Sequence, residues 1–211
     1  EIMSSDWSSD VCSSDLLDSH ADCCVGGSNS VLLGEPTRIT AAQAFMPGYG
    51  TKQAQMGSFA TAWCDPEDFQ EYLLVVHEGL RFGDQMRHTL LNPNQLRANN
   101  LRVDDCPRQF DSRSTHSIFV PPGSLTIPLQ LRGCISCFES RKPAPSDLSS
   151  LQWIELAGAA WDPTSTHFAE VEASLAVSAA SAAGKEEAQT RHVSALHQDP
   201  IEFAVDDQPH T

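Results

Sequence analysis

Leu17-Asp18-Ser19-His20-Ala21-Asp22-Cys23-Cys24-Val25-Gly26-Gly27-Ser28-Asn29-Ser30-Val31-Leu32-Leu33 is the stretch on which the reading of this chain turns. Two short apolar patches flank a polar, glycine-bearing turn, which reads as strand, turn, strand. Near its head, directly after an apolar residue, two aspartates and a histidine fall within five positions, Asp18 to Asp22. No other place in the chain gathers reactive side chains so closely.

The sequence downstream keeps the same short-strand rhythm. Residues 37–45 predict a further strand or a short helix. Gly48, Tyr49, Gly50 and Gly57 surround a polar loop that leads into an apolar strand at Phe59–Trp63. Asp65-Pro66 makes a turn, and Tyr72–His77 is nearly all apolar, as a strand buried on both faces would be. Thr89–Leu91 is another short apolar piece, Asn94–Asn99 has helical composition, and Leu101–Val103 resumes as strand. Ser117–Val120, a Pro-Pro-Gly-Ser turn and Leu125–Leu131 form a hairpin signal, and Gly133–Phe138 adds one more strand. Residues 17–140 are therefore expected to be mainly β, with one or two short helices.

The flanks differ in character. Residues 141–164 open with RKPAPSDLSS and read as a linker. Residues 165–211 read as an acidic, partly helical or disordered extension. Phe168, Val171 and Leu175 recur there at helical spacing, but a lone helix of this kind is marginal in water. Residues 1–16 are rich in Ser and Asp without periodicity, and Asp6–Leu16, DWSSDVCSSDL, resembles a translated sequencing adapter. That stretch is set aside as disordered and outside the fold, which implies that the natural sequence preceding Leu17 is missing.

The chain has 211 residues and a formal net charge of −15, from 28 acidic and 13 basic side chains. Four acids and no base lie in residues 1–16, and ten acids and two bases in residues 155–211, so the middle is close to balanced. An acidic chain is a poor non-specific ligand for nucleic acid or anionic lipid, and no apolar run has the length of a membrane span. Seven cysteines at irregular spacing do not form a disulfide framework, and a reducing, cytoplasmic compartment is expected. Cys134-x-x-Cys137 lacks a second pair and sits in strand-like sequence, so no metal or other cofactor is expected there.

Asp18 followed by a hydroxyl and a small residue suits aspartic proteolysis. Two such loops, one from each of two chains, bring two carboxylates together. They cannot both ionise, so they share a proton and activate a water for attack on a peptide carbonyl. The chain resembles the protease segment of copia-type retrotransposon Gag-Pol polyproteins, in a branch carrying Asp-Ser-His-Ala-Asp. Beyond the loop, the resemblance rests on Val75-Val76-His77-Glu78-Gly79-Leu80 and Leu90-Leu91-Asn92-Pro93-Asn94-Gln95-Leu96. Pro107–Asp111, His116–Pro121 and Phe138–Pro143 extend it, and it covers about residues 17–165.

The resemblance implies a retropepsin-like closed β domain, a homodimer and a polyprotein peptide as substrate. It implies catalysis by Asp18, with the loop supported by Ser19, His20 and Ala21, and a flap containing Gly48, Tyr49 and Gly50. His20 departs from the usual Gly, whose absent Cβ lets the backbone lie close to the carboxylates.

Two alternatives stand beside this reading. One is a degenerate, non-catalytic retroelement fragment. The other takes Asp18-x-His20-x-Asp22 as the manganese site of a ureohydrolase, although the companion motifs of that family are missing. His77, His88 and His116 show no spacing that suggests a triad or a zinc site. Arg81–Arg113 is a mild basic run broken by acids, which reads as a solvated face.

Overall fold

Four consecutive apolar residues, Leu73-Leu74-Val75-Val76, are each 0–1% exposed, and the rest of the domain is arranged to cover them. They lie in β5 (Glu71–Gly83). Because side chains alternate across a strand, the run needs a partner layer on both faces. Leu74 and Val76 join the main core, with Phe59, Trp63, Leu91, Leu96, Ile118 and Phe138 among their companions. Leu73 and Val75 pack on the opposite face with Ala60, under Val31, Leu33, Leu148 and Leu151.

In this computed structural model the described residues are 13–43, 50–121, 124–163 and 165–176. The chain divides into two units, 1–163 and 164–211. The first is mainly β, as expected. Its strands are β1 (Ser14–Leu17), β2 (Val25–Gly27), β3 (Val31–Gln43), β4 (Thr51–Cys64), β5, β6 (Thr89–Leu91), β7 (Arg102–Asp104), β8 (Ser117–Val120), β9 (Leu125–Pro128), β10 (Gln130–Arg132), β11 (Ile135–Glu139) and β12 (Gln152–Ala157). Two short helices, α1 (Pro93–Ala98) and α2 (Asp147–Ser150), complete it. The larger sheet runs β10-β11-β1-β6-β2-β5-β4-β3, with β12 added beside β5, and β7-β8-β9 form a second sheet.

Of residues 37–45, expected as a further strand or a short helix, 37–43 are strand, the outer half of β3, which pairs antiparallel with β4, and 44–45 lie outside the described residues. Other local outcomes differ from the sequence expectations. Gly26 and Gly27 lie in buried β2 and the turn falls at Ser28–Asn29. Glycine is needed at Gly27 for close approach, since a Cβ there would come 2.3 Å from the His88 carbonyl oxygen. The apolar run 125–131 breaks at Leu129, whose N–H donates to the His116 carbonyl, so its two ends enter different sheets. Cys134 is exposed at a turn and Cys137 is buried in β11.

Two domain boundaries need correction. Residues 141–164 are not a linker. Ile154, Leu156 and Ala157 of β12 are buried, β12 pairs parallel with β5, and Leu148 and Leu151 cover the second face of β5. The Pro- and Ser-rich opening hid a segment whose task is to close that face.

The exclusion of residues 1–16 also extends too far. Ser14–Leu16 lie in β1, between β11 and β6. Asp15 is fully buried there. Its Oδ1 accepts from Asn29 Nδ2 and Ser140 Oγ, each at 2.7 Å, and its Oδ2 accepts from Thr61 Oγ1 at 2.8 Å. In the second unit, residues 167–176 are helical, with Phe168, Val171 and Leu175 all exposed. Residues 1–12 and 177–211, including most of the expected acidic extension, lie outside the described residues.

Candidate active site

Parallel pairing of β1 with β6 sets Leu17 opposite Leu91, and at the end of β1 the Asp18 N–H donates to the Leu91 carbonyl at 2.9 Å. The two stretches on which the resemblance most depends, Leu17-Asp18 and Leu90-Leu91-Asn92, are thus hydrogen-bonded neighbours. Asp18 begins a loop of turns and bends that reaches β2. Its Oδ1 accepts the His20 N–H at 2.9 Å, a local side-chain turn of the kind aspartate favours. The Asp18 side chain is 34% exposed.

The expected loop residues take distinct places. Ser19 is exposed, with Oγ 3.5 Å from His20 Nδ1. The His20 side chain is 90% exposed and its Nδ1 lies 3.8 Å from Asp18 Oδ1. His20 has no left-handed backbone, so the usual glycine is not demanded by φ. Ala21 is half-buried and its carbonyl accepts from Asn92 Nδ2. Asp22 is exposed, and its carbonyl accepts from Trp161 Nε1 at 2.8 Å. Burial pushes both the Cys23 and Cys24 thiols up, which makes them poor nucleophiles.

Asp18 opens on a hollow of about 400 Å³ that also touches Leu17, Leu90, Pro93 and Ile135. A second hollow of about 740 Å³ adjoins it at His20 and Leu90. One wall of the second hollow is the loop at His20–Cys23. The outer part of the β3–β4 hairpin, at Thr40–Gln43, Gly50 and Lys52, also lines it, and Val25, Met56, Leu80 and Phe82 supply apolar lining. Of the flap candidates, Gly48 and Tyr49 lie outside the described residues. Gly50 is exposed, with φ +68°, a conformation suited to glycine.

The chemistry available to Asp18 follows from this geometry. It is a carboxylate on a loop, anchored through backbone, with acceptor capacity left over and a hollow beside it. One carboxylate is half of a proton-sharing pair, so the aspartic mechanism needs a second loop from another chain. The manganese alternative gains no support, since no group of three or more His, Cys, Asp or Glu side chains converges to hold a metal among the described residues.

Sequence reasoning missed two features. Ser58 Oγ and His77 Nδ1 are 2.7 Å apart, and His77 Nε2 lies 3.7 Å from Glu155 Oε1. The carboxylate is beyond hydrogen-bonding range, so the three do not form a relay. The second is Asn92, the N-cap of α1. The Asn-Pro pair was a usable signal, because a capping side chain followed by Pro at the first helical position marks a helix start.

Comparison with known proteins returned nothing: no family profile, curated protein or solved structure matches this chain.

Proposed function

We propose that this chain is the aspartic endopeptidase segment of a copia-type retrotransposon polyprotein, with Asp18 as the catalytic carboxylate. A second copy supplies the other half of the dyad, and the substrate is an extended peptide of the Gag-Pol polyprotein. One observation carries the reading. A partly exposed aspartate, held by its backbone at the end of a strand, borders one hollow, and a second hollow, which shares His20 and Leu90 with the first, is lined in part by the β3–β4 hairpin. The ordered resemblance of residues 75–80 and 90–96 supports it, because the fold sets Leu91 directly against Asp18. Under this reading Ser19 links the two loops, Ala21 packs beneath them, and the hairpin excludes water when peptide is bound. The protein works in the cytoplasm, inside the particle of the intact element.

The non-catalytic alternative draws on His20. An imidazole projects into solvent at the position where two loops would meet. Sedimentation and cleavage separate the two readings. The full chain is incubated with a library of unstructured decapeptides at acidic to neutral pH, and its mass in solution is measured. A dimer that cleaves, and stops cleaving on Asp18→Asn, is the expected result. Cleavage that survives Asp18→Asn refutes the assignment, and a monomer without activity favours the degenerate fragment.

A further inference from the structure

The loop carrying Asp18 is gripped by one corner of the fold, where β6 runs into α1. Asn92 is 4% exposed and every polar atom of its side chain is used. Its Oδ1 accepts the N–H groups of Asn94 at 2.7 Å and Gln95 at 3.0 Å, which caps α1. Its Nδ2 donates to the Ala21 carbonyl, in the middle of the loop. Its own backbone N–H donates to Cys24 Sγ at 3.2 Å. Two backbone donors facing one side of the amide fix which side is oxygen, and so aim the NH₂ at the loop.

Gln95, 1% exposed, completes the grip. Its Oε1 accepts the Cys24 N–H at 2.7 Å, while its Nε2 donates to the carbonyls of His77 and Glu78, each at 3.2 Å. Those two residues sit at a β-bulge, where they oppose Ser58 alone. Capping by itself would accept Ser, Thr or Asp at position 92. Only a side chain with an acceptor and a donor on the same short stem both caps the helix and holds the Ala21 carbonyl.

We propose that Asn92 is a positioning residue, which fixes the Asp18 loop through the Ala21 carbonyl. The catalytic side of this inference rests on the reading of Asp18 as a protease carboxylate, whereas the mechanical side does not. Asn92→Asp is the discriminating variant. It is nearly isosteric and keeps the cap, but it loses the donor and sets a carboxylate against the carbonyl. Asn92→Ser, which caps but is too short to reach Ala21, is the second variant should the first fail to fold.

Two measurements on the full chain are made together. Amide hydrogen exchange across Ser19–Cys24 should quicken by about tenfold or more, with Leu73–Val76 unchanged, as local opening without global unfolding requires. The ratio of variant to parent exchange should fall towards one at acidic pH, where a protonated carboxyl regains an O–H donor. Cleavage of a peptide from the library should lose about 10- to 100-fold in kcat with KM altered less than about threefold, because a displaced loop misplaces the reacting group. Unchanged loop exchange overturns the proposal, whatever the activity. Faster loop exchange in a chain whose parent shows no Asp18-dependent cleavage supports the clamp and removes the protease reading alone.

Discussion

Asp15 and Asp18 are three residues apart, one inside a strand and the other just past its end, and they have opposite surroundings. Asp15 is fully buried and accepts three side-chain hydrogen bonds, from Asn29, Ser140 and Thr61. Asp18 is open to a cleft and its carboxylate accepts one, from the His20 N–H. A carboxylate has about four acceptor sites. Those of Asp15 are nearly saturated by the fold, whereas Asp18 keeps most of its capacity for a ligand. The same side chain is structural in one setting and available for chemistry in the other. The difference lies in the neighbours that β4, the β2–β3 turn and the end of β11 supply to Asp15 and do not supply to Asp18.

The sharpest break of this contrast is truncation of each residue. Asp15→Ala leaves three buried donors facing a void and should cost about 2–5 kcal/mol of unfolding free energy, since buried unsatisfied groups are expensive. Asp18→Ala should move the thermal midpoint by no more than about 2 °C, as surface substitutions do. Urea and thermal unfolding of the two variants measure both. Equal losses would erase the distinction between a structural and a free carboxylate.

A smaller effect comes from the proton. Burial pushes the Asp15 carboxyl up to about 6 from 3.8, with the hydrogen bonds from Ser140, Thr61 and Asn29 pulling the other way. Between those values the folded chain keeps a proton that the unfolded chain has released. The resulting stability is fully present below pH 4 and is lost as pH rises through 6, an effect of about 2–3 kcal/mol. His88 and His116 oppose this trend. Burial lowers both imidazoles below 6.5, so their contribution grows as pH rises to that value. The difference between the parent and Asp15→Asn isolates the carboxyl. In the variant the amide oxygen can serve Asn29 and Ser140 while the hydroxyl of Thr61 turns to accept. That difference should fall between pH 4 and pH 6, and a flat difference would mean that the donors keep Asp15 ionised throughout.

The contrast also marks what the sequence could and could not disclose. Leu73–Val76 announced a strand buried on both faces because four apolar residues in a row have no other economical use in a β protein. It did not say what covers the second face, and part of the answer, Leu148 and Leu151, which join Val31 and Leu33 there, stood in a segment whose Pro and Ser read as linker. Asp18 was visible because reactive residue types cluster in sequence around it. Asn92 and Gln95, which hold its loop, were not. Their work depends on the pairing of β1 with β6, a contact between segments more than seventy residues apart. Asp15 was hidden differently, because composition marked its neighbourhood as foreign while the fold uses Ser14–Leu16 as its own strand.

The finest test concerns His20, where the open loop departs from the family it resembles. Its imidazole is 90% exposed, its contribution to the turn at Asp18 is a backbone N–H, and its φ is not left-handed. His20→Gly therefore removes no hydrogen bond that the fold requires. It adds only backbone freedom to the unfolded chain, so the thermal midpoint should drop by no more than about 2 °C. Under the proposed dimer, in which two such loops meet, the effect on association should be larger than the effect on stability, because the Cβ would crowd the approaching loop. Sedimentation of the variant beside the parent reads this directly, and tighter dimerisation at nearly constant midpoint is the expected outcome. A fall in midpoint beyond about 5 °C would show that the imidazole itself holds the loop. Asp18 would then be as embedded in its own surroundings as Asp15 is, and the contrast between them would rest on exposure alone.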